Sequence, residues 1–205
     1  MKVTVVTPWH NHRELERDYW NALRREDCDV IVVDNASDPP LPNAWRLDRN
    51  SGFSHASNLG LQMARTDAVL FLNNDVYATE TGWLSKLTDA LEPGVLVGPV
   101  IRYEQHTQYS DFQLPYIDGW CLLGMRDDLL ELGGFDESYE EPAYYSDNDL
   151  CLRARADGMT LREAPCGINH KAGRTSDANG WLMDSTVQNR AKFNELVSEL
   201  MGVAA

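Results

Sequence analysis

Three small polar residues, Asn73, Asn74 and Asp75, directly follow an apolar run at residues 69–72. The run has the composition of a buried strand, and the carboxyl edge of an open α/β sheet is where ligands bind. A carboxylate at the end of a buried strand is costly unless it is paired or metal-bound. We therefore predict that Asp75 is a ligand of a divalent metal that holds a diphosphate. The alternative is that Asp75 caps the helix that follows.

Two other stretches carry groups suited to the same chemistry. Asp147 and Asp149 stand at the head of a predicted helix, where one can serve as N-cap and the other can point into a cleft as a general base. The alternative is that both serve the helix, as cap and dipole partner. His170 ends a short predicted strand and alone would be an ordinary histidine. Together with a carboxylate and diphosphate oxygens, a neutral imidazole suits Mn²⁺.

Neither of the two glycine-rich phosphate-binding patterns, G-x-G-x-x-G and G-x-x-x-x-G-K-[ST], is present in the sequence. A bound diphosphate must then be neutralised by a metal, which strengthens the prediction for Asp75. Thr7 and Asn11 present hydrogen-bonding groups after the first predicted strand, and Asp34 and Asn35 end its neighbour. They are suitably placed for the polar edge of a base or a ribose hydroxyl, although each taken singly reads as an ordinary turn residue.

The strands and helices that position these residues are predicted from apolar runs that alternate with helical patterns. This alternation predicts an α/β fold with a parallel sheet, right-handed crossovers and a doubly wound nucleotide-binding half. The first half is predicted to contain strands at 2–7 (stopped by Pro8), 29–34, 45–47, 68–72 and 95–101, and helices at 13–26, from Ser54 or Ser57 as cap to about 65, and at 83–91. The second half is predicted to contain a loop or hairpin at 102–115, strands at 116–125, 160–162 and 168–170, a tight turn at 133–136, and helices at 147–157 and 180–200.

Composition narrows the class of protein. The chain has 205 residues, of which 43% are hydrophobic and 24% charged, enough for one well-filled domain. The net charge of −14 works against non-specific adhesion to nucleic acid or anionic lipid. The four cysteines lack C-x-x-C spacing, so neither a zinc site nor a redox pair is indicated. Without a signal peptide or an apolar run near ~20 residues, we expect a soluble cytoplasmic protein, monomeric or homodimeric.

A series of short motifs, taken together and in order, resembles the family 2 glycosyltransferases of GT-A fold over residues 1 to about 176. The motifs are V-V-T-P-x-x-N at 5–11, V-V-D-N-A-S at 32–37, N-S-G-F at 50–53, N-L-G at 58–60, F-L-N-N-D at 71–75, G-G-F-D-E at 133–137, D-N-D-L-C-L-R at 147–153, and His170 before Gly173 and Ser176. The resemblance implies a single GT-A domain over residues 1–205: a Rossmann-like, mostly parallel sheet flanked by helices. Residues 1–101 would be its nucleotide-sugar-binding half and residues 102–205 a smaller acceptor and catalytic half with a C-terminal helix.

The resemblance also implies roles for individual residues. Asp75, assisted by His170, would hold Mn²⁺ or Mg²⁺ on the nucleotide diphosphate, and Asp147 would deprotonate the acceptor hydroxyl, with Asp149 next in line. The remaining positions would contact the donor: Thr7, Pro8, Asn11, Asp34 and Asn35 at the nucleoside, Gly52, Phe53 and Asn58 near the ribose or sugar, and Asn73 and Asn74 beside the metal. The implied activity is inverting, metal-dependent transfer of a single hexosyl or related sugar from a donor such as a UDP- or dTDP-sugar.

Two departures from the family pattern and several open alternatives accompany this interpretation. Ser146 replaces the glutamate expected before Asp147, which we expect to lower the pKa of Asp147, and Asn73 replaces the first aspartate of the metal motif. The Q-x-x-R-W signature of processive synthases is absent, which favours transfer of one sugar. A catalytically inactive sugar- or partner-binding relative and a sugar nucleotidyltransferase are the alternatives. The acceptor (saccharide, glycolipid, protein or modified nucleobase) is open, and Trp120 is the predicted aromatic contact to acceptor or donor sugar.

Overall fold

The structure is a computed structural model and describes residues 1–105, 113–139, 141, 143–171 and 182–201. The strands are β1 (Val3–Trp9), β2 (Asp29–Asp34), β3 (Trp45–Arg46), β4 (Ala68–Leu72), β5 (Val76–Ala78), β6 (Val95–Gly98), β7 (Ile101–Gln105), β8 (Gln113–Ile117), β9 (Cys121–Met125), β10 (Thr160–Glu163) and β11 (Ile168–His170). The α-helices are α1 (Glu16–Leu23), α2 (Phe53–Met63), α3 (Trp83–Asp89), α4 (Arg126–Glu131), α5 (Ser146–Ala156) and α6 (Leu182–Met201), and a 3₁₀ turn at Arg13–Leu15 precedes α1.

The central sheet of the described part has seven strands in the order β10-β6-β9-β4-β1-β2-β3. Strand β1 lies between β2 and β4 and runs parallel to both, and β10 runs parallel to β6. Strand β9 is antiparallel to its neighbours β4 and β6. The sheet is therefore mostly parallel and flanked by helices, as the sequence predicts. In the described ranges, no helix combines the length and the hydrophobicity that a membrane span requires.

Strand β4 lies at the centre of this sheet, and all five of its residues are 0% exposed. Leu70 and Leu72 pack into one hydrophobic cluster, whereas Val69 and Phe71 pack into a second cluster on the other face of the sheet. Burial of each of these side chains stabilises the fold by about 1.5–3 kcal/mol. The polar residues that follow Leu72 thus emerge directly from the centre of the core.

Several predicted elements are confirmed and others need correction at their ends. Strands β2 and β4 have the predicted bounds, and β3, β10 and β11 exist as short strands. The prediction that Pro8 stops β1 is wrong, because β1 continues to Trp9. Beyond Val6 this strand pairs with β2 alone, so the missing N–H of Pro8 falls where no second partner needs it. Helix α1 is shorter than the helix predicted over 13–26, because it begins at Glu16 and ends at Leu23.

The region after residue 95 differs most from prediction. The single strand predicted over 95–101 is divided into β6 and β7 around Pro99, and the strand predicted over 116–125 is divided into β8 and β9 by a turn at 118–120. Strands β7 and β8 pair antiparallel, which confirms a hairpin, although its tip at 106–112 lies outside the described residues. The start predicted for the last helix, at 180–181, also lies outside them.

The prediction that Ser54 or Ser57 caps helix α2 is wrong. Both serines lie inside the helix, and their hydroxyls have no hydrogen-bond partner. The N-cap position is Gly52, and the N–H of Phe53 instead donates to Oε1 of Glu141 over 3.0 Å. The helix is thus capped by a side chain 88 residues away, which no local sequence pattern reveals.

Gly52 should be intolerant of substitution because it supports this cap. Its backbone has φ 88° and ψ 169°, a region reserved for glycine, and a Cβ here would lie 1.9 Å from Glu141 Oε1. The matched control is Gly82, the N-cap of α3, which has φ 75°, ψ 16° and open space around its Cβ position. We expect Gly82→Ala to cost about 1 kcal/mol and Gly52→Ala about 3 kcal/mol of unfolding free energy, measured by urea titration. Equal losses would show that Glu141 does not constrain Gly52.

Candidate active site

A two-stranded ribbon of β5 and β11 brings Asp75 and His170 together. Strand β5 begins directly after Asp75 and pairs antiparallel with β11, so that Val76 lies opposite His170. The N–H of Lys171 donates to the carbonyl oxygen of Asp75 over 2.9 Å. As a result, His170 Nε2 lies 2.7 Å from Asp75 Oδ1. Strand β5 was not predicted, because three residues are too few for a detectable periodicity.

The pair formed by Asp75 and His170 fits a divalent cation. Asp75 Oδ1 is buried and has no hydrogen-bond partner, so its approach to His170 Nε2 lacks the direction of a hydrogen bond. A carboxylate oxygen left in this state beside an imidazole nitrogen is a donor set that Mn²⁺ accepts. Within the described ranges, no group of three or more His, Cys, Asp or Glu side chains could hold a metal. A cation at this pair would therefore depend on oxygen atoms of a bound ligand or water for further coordination.

Trp120 and Asn73 orient the imidazole of His170. The indole of Trp120 stacks on the imidazole with ring centroids 5.1 Å apart and planes 2° from parallel. Asn73 Nδ2 lies 3.4 Å from His170 Nε2, and the N–H of Asn73 donates to the carbonyl oxygen of Trp120 over 2.9 Å. These contacts connect the end of β4, the turn before β9 and the end of β11. The predicted metal ligand and the predicted aromatic contact thus belong to one packed unit.

Asn73, Trp120 and His170 line a cleft of about 390 Å³ that also contains Asp147. Asp147 is the second residue of α5 and does not cap it, so the N-cap prediction is wrong: the N-cap position is Tyr145, without a side-chain cap. Instead, Asp147 Oδ2 accepts a hydrogen bond from the N–H of Gly119 over 2.9 Å, and its Oδ1 accepts one from the N–H of Asn148 over 3.0 Å. The carboxylate is held at the cleft wall by backbone donors.

Burial raises the pKa of Asp147 to about 6, and the nearby negative charge of Asp118 adds to this effect. The hydrogen bonds from Gly119 and Asn148 act in the opposite direction but do not outweigh the loss of hydration. The expectation that Ser146 in place of glutamate lowers this pKa is therefore overridden by burial. A carboxyl group with a pKa near 6 exchanges protons close to neutral pH, as a general base requires.

Asp149 lies in a different environment although it is two residues away. Its Oδ1 is 2.6 Å from Arg153 Nε, its Oδ2 accepts a hydrogen bond from the Tyr139 hydroxyl over 3.1 Å, and its side chain is 4% exposed. Both oxygens are thus engaged inside the protein, and Asp149 is not among the residues that line the cleft.

The predicted nucleoside contacts form a hydrogen-bonded loop network at the ends of β1 and β2. Asp34 is 0% exposed, and its oxygens accept from the N–H groups of Ser37 and Leu41 and from Arg46. Burial alone would raise the pKa of Asp34, but these hydrogen bonds outweigh it and the pKa lies below its ordinary value. Asn35 bridges this loop to the next by donating to Asn50 Oδ1 over 2.7 Å.

The structure does not bring the other predicted donor contacts to the cleft as one group. Of the donor-site residues, Phe53, Asn73 and Trp120 line it. Thr7 shares a buried hydrogen bond with the Tyr19 hydroxyl, and Asn11 accepts one from the N–H of Asp38. Asn58 is buried and bonds both the N–H and the carbonyl of Phe135, so it anchors the turn of the G-G-F-D-E motif. Pro8, Gly52 and Asn74 lie in β1, at the start of α2 and after β4, and a nucleotide-binding role for all these residues remains a prediction.

The cleft also contains an ion pair that the sequence did not indicate and two tyrosines from the aromatic-rich second half of the chain. Arg102 and Asp118 form an ion pair in its wall, and Tyr116 and Tyr144 contribute aromatic surface. Arg102 and Tyr116 come from the hairpin of β7 and β8, Asp118 from the turn before β9, and Tyr144 from the segment before α5. Their approach depends on tertiary packing, and the D-G-W sequence at 118–120 was the one local signal.

Residues 4–133, more than half of the chain, match the family described as "Glycosyl transferase family 2". The chain therefore belongs to glycosyl transferase family 2, and its fold is that of the GT-A glycosyltransferases. The uncharacterized protein Rv1525 of Mycobacterium tuberculosis is 28% identical in an alignment that covers 87% of this chain and 77% of the relative. The pre-mycofactocin glycosyltransferase of the same species is 28% identical in an alignment that covers 81% of this chain and 42% of the relative. The protein is thus a glycosyltransferase by class.

Solved structures show the same fold at lower identity. The mannosyltransferase PcManGT of Pyrobaculum calidifontis, in complex with GDP-Man and Mn²⁺, has a TM-score of 0.61 at 20% identity, over 80% of this chain and 54% of that one. GalNAc-T7 with UDP, GalNAc and Mn²⁺ has a TM-score of 0.67 at 14% identity, over 82% of this chain and 43% of that one. TarS 1-349 of S. aureus in complex with UDP has a TM-score of 0.60 at 16% identity, over 98% of this chain and 71% of that one.

The raised pKa of Asp147 predicts a pH-dependent stability. Between the ordinary value of 3.8 and about 6, the folded state binds more protons than the unfolded state, so stability falls as pH rises through this window. Asn cannot ionise, and we expect the Tm of Asp147→Asn relative to the parent to increase from about pH 4 to about pH 7. Asp149→Asn is the control: it leaves Arg153 without its partner and should lower the Tm throughout. A Tm difference for Asp147→Asn that is constant with pH would contradict the raised pKa.

Proposed function

We propose that the protein is an inverting, metal-dependent glycosyltransferase that moves a single sugar from a nucleoside-diphosphate sugar to an acceptor hydroxyl. One observation carries the proposal: Asp147 lines the same cleft as Asn73 and His170, and His170 lies 2.7 Å from the orphaned oxygen of Asp75. A candidate base and a candidate cation site in one cleft are the two groups that activation of a hydroxyl and departure of a diphosphate require.

The donor side of the proposal is the pair Asp75 and His170. These residues would hold Mn²⁺ or Mg²⁺, which when bound neutralises charge that develops on a diphosphate leaving group. Mn²⁺ in the structures of PcManGT and GalNAc-T7 supports this assignment. Trp120 keeps the imidazole in place by stacking, and Asn73 closes the cleft beside it. UDP in two of the neighbouring structures supports a UDP- or dTDP-sugar as donor.

The acceptor side of the proposal is Asp147. Its carboxylate would accept the proton of the acceptor hydroxyl as that oxygen attacks the anomeric carbon from the face opposite the diphosphate, which inverts the configuration. The hydrogen bond from the N–H of Gly119 orients the carboxylate and leaves lone pairs free for this proton. Asp149 is less suited to the role because both its oxygens are engaged by Arg153 and Tyr139.

The proposal is tested by incubating the protein with Mn²⁺ and a panel of UDP-, dTDP- and GDP-sugars. Slow release of nucleoside diphosphate from at least one donor is the expected result, because water can replace the acceptor. Pyrophosphate exchange would instead indicate a sugar nucleotidyltransferase. Release from no donor, with nucleotide binding retained, would indicate a catalytically inactive binding protein and contradict the proposal.

Asp147→Asn should abolish transfer and leave nucleotide affinity nearly unchanged. Loss of a general base lowers the rate by about 10²–10⁴-fold. Because Asp147 must be ionised to accept a proton, the kcat of the parent should fall as the pH decreases through about 6. Initial rates across pH, together with calorimetric titration of the nucleoside diphosphate, separate the two effects. Undiminished turnover in Asp147→Asn would remove this residue from the role of base and leave Asp149 as the candidate.

Asp75→Ala should weaken Mn²⁺ binding in the presence of UDP by about 100-fold or more, because it removes one of two protein ligands. Binding is measured from the loss of the free Mn²⁺ signal in electron paramagnetic resonance, which does not depend on turnover. Asp127→Ala is the matched control, since the Asp127 side chain is 84% exposed on α4. Normal Mn²⁺ affinity in Asp75→Ala would show that the cation, if bound, is held elsewhere.

A further inference from the structure

A second cleft of about 310 Å³ adjoins the first. We call it the tyrosine cleft, defined by Glu104, Tyr116, Asp118, Tyr144, Tyr145, Asp147, Asn148 and Thr186. Four of these residues, Tyr116, Asp118, Tyr144 and Asp147, also line the first cleft, so the two spaces are continuous at Asp147. The first cleft extends from this junction to Asn73 and His170, and the tyrosine cleft extends from it towards Glu104 and α6.

We propose that the tyrosine cleft is the acceptor site and that the acceptor is an uncharged saccharide, excluding phosphorylated and other anionic acceptors. This inference rests on the proposed function, because it takes Asp147 as the base that meets the acceptor hydroxyl. It adds the chemical class of the acceptor, which the position of a base does not define. Two properties of the cleft carry it: the charge and the aromatic surface of its lining.

The charge of the tyrosine cleft is negative. Glu104, Asp118 and Asp147 contribute carboxyl groups, and among the described residues no lysine or arginine lines this cleft. Two arginines offset part of this charge: Arg102 pairs with Asp118, and Arg190 Nη2 lies 3.9 Å from Glu104 Oε1. Asp147 has no such ion pair among the described residues, and its carboxylate accepts hydrogen bonds from backbone N–H groups instead. Burial is the main cause of the raised pKa of the Tyr116 phenol; Asp118, Asp147 and Glu104 raise this pKa further, and Arg102 lowers it. A phosphate placed beside the ionised carboxylate of Asp147 would be repelled, whereas sugar hydroxyls can donate hydrogen bonds to carboxylate oxygens.

The aromatic surface of the cleft suits a sugar ring. Tyr144 is 41% exposed and lines both clefts, so its ring is available at the junction beside Asp147. Tyr145 is held in place, because its hydroxyl donates to Glu104 Oε1 over 3.1 Å and its ring stacks on Phe193 with centroids 5.5 Å apart. Rigid amphipathic rings with polar groups at their edges bind ligands that combine an apolar face with hydroxyl groups.

The acceptor class is tested with two matched sets of ligands on the same protein. One set contains methyl glycosides and neutral disaccharides, and the other contains the corresponding sugar phosphates and uronic acids. Binding is measured by saturation-transfer NMR in the presence of UDP and diamagnetic Mg²⁺, and acceleration of nucleoside diphosphate release from the donor is measured in parallel with Mn²⁺. We expect saturation transfer and acceleration from at least one neutral ligand and neither from its phosphorylated counterpart. Equal or stronger binding by the phosphorylated set, or binding by neither set, would overturn the inference.

Substitutions at two residues of the tyrosine cleft, Tyr144 and Glu104, assign the effect to this cleft. Tyr144→Ala should raise the KM for a neutral acceptor by about tenfold, with a smaller change in kcat, and Tyr144→Phe should restore it. The control is Tyr103→Ala, which removes a tyrosine that is 59% exposed on β7 and lines neither cleft, and should leave the KM unchanged. Glu104→Gln removes one negative charge and should narrow the gap between neutral and phosphorylated ligands severalfold. An unchanged KM in Tyr144→Ala would contradict this site for the acceptor.

The same measurements distinguish failure of this inference from failure of the proposed function. Release of nucleoside diphosphate without preference for neutral acceptors would contradict the acceptor class and leave glycosyl transfer intact. Absence of release from every donor would contradict the proposed function, whereas the NMR arm would still report which ligand class the tyrosine cleft binds.

Discussion

The buried carboxylate of Asp75 is the constraint on which the rest of the site depends. It follows a strand with no exposed residue, so water cannot solvate it from the side of the core. The pairing of β5 with β11 places the imidazole of His170 next to the carboxylate of Asp75. Trp120 fixes the plane of that imidazole by stacking. Because the ribbon, the turn before β9 and the end of β4 all meet here, a change in any of them alters the surroundings of one carboxylate oxygen.

Aspartates of the same helix show how environment sets chemical role. Asp147 and Asp149 are two residues apart, and side chains at this spacing point in different directions from a helix. Asp149 therefore enters the interior and meets Arg153, whereas Asp147 reaches the cleft and meets backbone N–H groups. Arg153 and the Tyr139 hydroxyl together engage both oxygens of Asp149. Asp147 receives hydrogen bonds from backbone N–H groups alone, and burial raises its pKa to about 6.

The sequence predicted those parts of the molecule that depend on local hydrophobic patterns. Strands β2 and β4 were located correctly because runs of apolar, β-branched and bulky residues are typical of buried strands. The positions of Asp75 after β4 and of Asp147 in the first turn of α5 were predictable because polar residues end or begin such elements. The missing parts depend on contacts across the chain. The cap of α2 by Glu141 joins residues 88 positions apart, and the ion pair of Arg102 with Asp118 joins a hairpin to a turn. Strand β5 is defined by its pairing with β11, which lies far away in the sequence. Pro8 misled the prediction because a proline is compatible with a strand that has a partner on one side.

The cap that Glu141 places on α2 has an electrostatic consequence. Aligned peptide dipoles give a helix a positive N-terminal end, which in many nucleotide-binding folds is the place where a phosphate sits. In this chain a carboxylate already occupies that end, bonded to the N–H of Phe53 at the margin of the cleft. The positive end of the α2 macrodipole is thus neutralised internally. Under the proposed function, a diphosphate in the cleft would find its counter-charge in a bound cation rather than at this helix end, and α2 would be a structural support rather than an anion receptor.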